Sequence, residues 1–158
     1  MTLPPSPLRI ALFEPRIPPN TGNIARSCAA FQLPLSLIEP LGFKIDDKTL
    51  KRAGLDYWPH VEVSTHQDFQ TFEAALPKPY RLIGCSRHQG SSLSTFRFQP
   101  GDVLLFGRED TGLPVEIRQR CAEICTIPMR GHEHVRSLNL SVSCALVSFQ
   151  AGLQLGLW

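Results

Sequence analysis

The sequence has no run of roughly 18 uncharged apolar residues, the length a membrane-crossing helix needs. Its start, MTLPPSPLRI, lacks both the basic flank and the apolar stretch of a secretory signal, so a cytoplasmic location with no membrane partner is expected. No internal repeat, low-complexity run or linker breaks the chain, and its 158 residues fit one domain, 1–158, with no separate RNA-binding domain. Several chemical signatures are missing too. FGREDTGLP holds two glycines but no GK[ST], so it is not a Walker loop, and no G-x-G-x-x-G dinucleotide fingerprint occurs. No G-x-S-x-G elbow supports a serine hydrolase. Cys121, Cys125, His132 and His134 are close in sequence, yet C-x3-C followed by H-x-H matches no zinc-finger or ribbon spacing; no metal is expected.

Excess charge is also lacking. A net charge of +2 excludes a basic nucleic-acid coat, so any RNA contact must come from local cation clusters such as Lys44-Lys48-Lys51-Arg52 and Arg130-His132-His134-Arg136. The five cysteines have no framework spacing and read as reduced thiols. Hydrophobic residues at 42% and charged ones at 19% place the chain among globular proteins rather than disordered ones.

What is present is an alternation. Strands are expected at Leu8–Phe13, Leu35–Glu39, His60–Ser64, Arg81–Cys85, Asp102–Phe106 and Glu123–Ile127, with helices near 21–31, 46–54, 67–76, 114–121 and 138–155. That pattern predicts an α/β fold, a mostly parallel sheet with helices on both faces. Ligands in such sheets collect beyond the carboxyl ends of the strands, where loops 14–20, 107–113 and 128–137 should converge. The last helix is apolar around much of its circumference, with Leu138, Val142, Ala145, Leu146, Phe149 and Leu153 in one stripe and Leu140, Val147 and Leu155 outside it. Such a helix is buried on more than one side, which points to a second subunit.

Three loops stand out. In IPPNTGNIARSCAAF, the prolines are expected to stop regular structure and Asn20-Thr21-Gly22-Asn23 to turn the chain, leaving Arg26 on the first turns of a helix. A cation there opposes the macrodipole, which suggests a guanidinium held over a concave site. FGREDTGLP reads either as an ordinary strand-to-helix turn or as a loop whose glycines let a ligand approach the backbone. In IPMRGHEHVRSLNLS, Ser137 either caps the last helix or offers a hydroxyl to a ligand.

In this order, NTGNIAR, LLFGREDTGLP and IPM…VRSLNLS resemble the three motifs of the SPOUT superfamily of RNA methyltransferases. IPPNTGNIAR and IEPLGFKIDDKTLKRAGLDYW are further similar to the tRNA (cytidine/uridine) wobble-nucleotide 2′-O-methyltransferase family, and the resemblance covers essentially the whole chain. It implies a C-terminal deep trefoil knot, a homodimer, S-adenosylmethionine as cofactor and the tRNA anticodon stem-loop as partner. Carried over by motif, Cys85, Gly107, Ile127 and Ser137 would line the cofactor pocket. Arg26 would be the catalytic residue, holding the ribose 2′-oxygen or an adjacent phosphate in line with the methyl group. Asn20, Asn23, Glu109 and Asn139 would support Arg26 and the loops, while Lys51, Arg52 and Arg130 would contact RNA phosphates. Phe149 stands where close relatives often have tyrosine. The same resemblance also fits methylation at another tRNA site or on ribosomal RNA, or a catalytically silent RNA-binding dimer.

Overall fold

Seven strands pair into one sheet: β1 (Leu8–Phe13), β2 (Leu35–Ile38), β3 (Val63–His66), β4 (Arg81–Cys85), β5 (Ser91–Ser92), β6 (Asp102–Phe106) and β7 (Glu123–Thr126). Their order is β3-β2-β1-β6-β4-β7-β5, and each described pair is parallel. The computed structural model describes residues 2–158 apart from Asp46, Asp47, Thr49, Lys51, Ala53, Gly54, His88, His132 and Arg136. The described helices are α1 (Pro18–Phe31), a 3-10 helix (Leu55–His60), α2 (Phe69–Ala74), α3 (Val115–Arg118) and α4 (Leu140–Gln154).

Side-chain alternation along the central strands builds two cores. Leu8, Ile10 and Leu12 of β1 join Leu104 and Phe106 of β6 under α1 and α4, with Ile24, Cys28, Cys144 and Val147. Ala11 and Phe13, with Val103 and Leu105, face the opposite side under Phe69, Phe72 and Ile117 of α2 and α3. Burial on both faces is why these strands read as near-continuous apolar runs. The expected α/β sheet with helices on both faces is what the chain forms.

Several local expectations change. Pro18 and Pro19 do not stop the chain; they occupy the first positions of α1, where a missing N–H is no loss and a fixed φ is already helical. Asn20–Asn23 are therefore helical rather than a turn, and Arg26 is more than two turns inside α1. The macrodipole acts mainly within the first turn, so it exerts little penalty on Arg26. The strand expected at 60–64 lies at Val63–His66, because the 3-10 helix with Pro59 inside it takes up the preceding residues. β5 was not expected, since two serines carry no periodicity. The helix expected over 46–54 falls largely outside the described residues, of which Lys48, Leu50 and Arg52 are helical.

The inner face of α4 consists of Cys144, Val147, Ser148, Ala151 and Gly152, mostly small residues that let it lie close to the sheet and α1. Its long apolar residues point outward: Val142, Leu146, Phe149 and Leu153 are each 45–52% exposed. The stripe prominent in the sequence is thus the outer one.

A candidate methyl-donor site at the carboxyl edge of the sheet

A cavity of about 200 Å³ opens where β4, β6 and β7 end, lined by Cys85, Phe106, Gly107, Ile127 and Ser137 among others. A second recess of about 120 Å³, among Pro5, Pro77, Pro79 and Tyr80, lies by the opposite ends of β4 and β6. The rule that ligands sit beyond strand carboxyl ends selects the first. Leu113, Leu138, Leu140 and Val147 add apolar wall, and Ser86, Ser137 and Ser143 add polar groups. All four residues expected against the cofactor line this one cavity.

Three loops are tied together beside it. The N-cap of α1, Ile17, makes no side-chain cap, and Glu109 of the second loop instead binds the two amides that lead into the helix. Its Oε1 accepts from the Arg16 amide at 2.9 Å and its Oε2 from the Ile17 amide at 2.8 Å. A carboxylate at a helix start both satisfies orphan donors and suits the dipole. Arg16 Nη1 meets Asp110 Oδ2 at 2.8 Å, and Arg108 Nη2 meets Glu14 Oε1 at 2.6 Å. Glu14 itself has a φ of 49°, a left-handed conformation uncommon for glutamate. Asn20 joins the third loop: its Nδ2 donates to Glu109 Oε2 at 3.4 Å and its Oδ1 accepts from Asn139 Nδ2 at 3.0 Å.

Asn139, not Ser137, caps α4, its Oδ1 accepting from the amides of Ser141 and Val142. That frees Ser137 to face the cavity. A Cβ on Gly107 would lie 2.3 Å from Gly112 C and Leu113 N, so the close approach it permits is that of the loop to its own backbone. Burial pushes the Cys85 thiol up and that of Cys125, also in the wall, up to about 12. Both behave as small apolar groups.

Arg26, Asn23, Arg52 and Arg130 lie outside the cavity wall. Arg26 is exposed on α1, its Cζ 4.8 Å from the Tyr57 ring centroid. Asn23 shares that exposed face, and Arg52 and Arg130 are exposed elsewhere. Lys51 lies outside the described residues. Among the described residues no group of three or more histidine, cysteine or acidic side chains could hold a metal. Wall residues not anticipated include Met129, Leu138 and Leu140, which sit inside the quoted motifs, and Arg87, Arg118, Cys125 and Val147, which have no motif signal.

An apolar slot with a few hydroxyls and one orphaned buried donor, Arg118 Nε, suits a nucleoside carrying an amino-acid tail. The fold is that of SpoU-type methyltransferases: one from Streptomyces viridochromogenes, solved in complex with AdoMet, superposes with a TM-score of 0.82 at 23% identity, covering 96% of this chain and 59% of that one. The chain belongs to the SpoU rRNA methylase family, whose sequence profile matches residues 7–149. An Aeromonas hydrophila relative, named tRNA (cytidine(34)-2′-O)-methyltransferase, is 44% identical over 151 residues, covering 94% of this chain and 95% of that one. A solved structure described as giving insights into the 2-OH methylation of C/U34 on tRNA has a TM-score of 0.89 at 46% identity, covering 97% of this chain and 99% of that one.

Proposed function

We propose that the chain methylates the ribose 2′-hydroxyl of the wobble nucleotide, cytidine or uridine 34, in tRNA, with S-adenosylmethionine as donor. The observation that carries this reading is the meeting of all three motif loops at one cavity, joined through Asn20. Near full-length similarity to relatives named for that reaction supports it.

S-adenosylmethionine, when bound, supplies an electrophilic methyl group. Cys85, Gly107, Ile127 and Ser137 hold the donor, and the apolar wall excludes water. Arg26, outside the wall and exposed, acts on the RNA side. A guanidinium has five donors and no acceptor, so Arg26 holds the 2′-oxygen or its neighbouring phosphate and favours negative charge developing there. The 2′-proton passes to phosphate or water. Arg52 and Arg130, with Lys51, grip phosphates and set affinity rather than rate.

The active species in this reading is a homodimer of single-domain chains, closed by the outer face of α4. Val142, Leu146, Phe149 and Leu153 offer that face, and Phe31 and Trp158 extend it, their rings stacked with centroids 4.8 Å apart. The reading also includes a deep trefoil knot. After β7, near one edge of the sheet, the chain returns to pack α4 beside β1 and β6 at its middle, the kind of crossing a knot requires. Mapping ribose methylation in tRNA treated with purified protein and S-adenosylmethionine tests the function. A new 2′-O-methyl mark at nucleotide 34 is expected; a mark elsewhere, or none, overturns it.

A further inference from the structure

Four charged side chains border the cavity: Arg87, Arg108, Glu109 and Arg118. Three have work to do within the protein. Arg108 is paired with Glu14, Glu109 accepts from the start of α1, and Arg87 Nη2 donates to the Asp110 carbonyl at 3.2 Å. Arg118, the last residue of α3, differs. Its Nε is buried, and among the described residues it has no hydrogen-bond partner and no carboxylate pairs with the side chain.

A buried N–H left unmade is costly, and more so on a charged group. The free energy is recovered if a ligand brings an acceptor, most strongly an anionic one. Arg118 borders the cavity, so an acceptor entering there meets its guanidinium, and a small rotation of the side chain would bring the covered Nε to it. This inference rests on the methyl-donor reading of the cavity. S-adenosylmethionine carries an ammonium and a sulfonium, both repelled by a guanidinium, and one carboxylate, which is attracted. The geometry points to Arg118 as the residue that binds the carboxylate of the donor's amino-acid tail, fixing which end of the molecule lies beneath α3.

The test uses calorimetry on the full chain without RNA, with S-adenosylhomocysteine and 5′-methylthioadenosine as probes. The first keeps the carboxylate; the second keeps the adenosine and thioether but lacks the amino-acid tail. For Arg118→Gln, affinity for S-adenosylhomocysteine should fall about tenfold or more, on the scale of one charge-assisted hydrogen bond. Affinity for 5′-methylthioadenosine should stay within about twofold of wild type, which also shows that the variant keeps its pocket. Arg118→Lys should retain part of the preference for the carboxylate-bearing probe. An equal loss for both probes would place the contact on the adenosine and overturn the assignment. No loss for either would overturn it while leaving the donor reading intact. A wild-type protein that binds neither probe would overturn the donor reading itself.

Discussion

Asn139 Nδ2 donates to Asn20 Oδ1 at 3.0 Å, joining two residues from opposite ends of the chain. The direction of this bond is fixed by the cap, because Asn139 Oδ1 is occupied by the amides of Ser141 and Val142. One side chain therefore starts α4 and holds the first motif against the third.

These two roles separate by mutation. Asn139→Asp keeps a capping oxygen but turns an acceptor toward Asn20, so thermal stability should stay near wild type while donor affinity drops several-fold. Asn139→Ala should lose both, with the cap alone worth about 1 kcal/mol. Melting curves and calorimetric titration with S-adenosylhomocysteine distinguish the two. Equal donor affinity in Asn139→Asp and wild type would show that the link does not shape the site.

Arg26 should govern rate. Arg26→Ala is expected to slow single-turnover methylation at saturating tRNA by about 10²-fold or more, on the scale of losing one stabilising donor, with donor affinity unchanged. Tyr57, whose ring lies under the guanidinium, should matter through it. Tyr57→Phe should be near wild type and Tyr57→Leu several-fold slower, since only the latter removes the aromatic face. A wild-type rate for Arg26→Ala would reduce that residue to a phosphate clamp.

Assembly should depend on the outer face of α4. In the proposed dimer, Phe149→Glu or Leu153→Glu would place a charge where two copies would bury their apolar stripes, at high desolvation cost. Sedimentation should show dimers for the wild type and monomers or aggregates for the variants. Stable dimers of either variant would move the interface elsewhere.

His66 should make stability fall on the acid side. It is buried, its Nε2 is 3.0 Å from Ser64 Oγ, and Ser64 in turn contacts Ser36. Burial, and secondarily the Arg9 guanidinium, holds its pKa below the ordinary value of 6.5. The unfolded chain then binds more protons just below pH 6.5, so stability rises with pH through that window and this contribution vanishes above it. Urea midpoints at pH 8 and pH 5.5 should differ more for the wild type than for His66→Asn. Equal differences would remove His66 as the cause.

The sheet was legible because its central strands are buried on both faces and read as near-continuous apolar runs, broken only by Arg9 in LRIALF and opened by Asp102 in DVLLF. The start of α1 was not, because the carboxylate that holds the amides leading into it is Glu109, a residue remote in sequence, and no local signal announces it. Leu138 and Leu140 could have been read from the motif that contains them. Arg118 could not, since a lone arginine at the end of a four-residue helix looks like any solvated charge. On α4 the period of the long apolar stripe was legible, but the residues that pack on the sheet were not, because close approach there selects small ones such as Ala151 and Gly152.

The two thiols in the cavity wall, Cys85 and Cys125, have a consequence of another kind. A thiolate is a better methyl acceptor than a ribose hydroxyl, so a cysteine beside an activated methyl group invites the enzyme to alkylate itself. With the Cys125 thiol pushed up to about 12, only about one molecule in 10⁵ would carry the thiolate at neutral pH. Burial pushes Cys85 in the same direction. In the proposed reading, the apolar wall that would hold the nucleoside also keeps its own sulfur atoms unreactive over many turnovers.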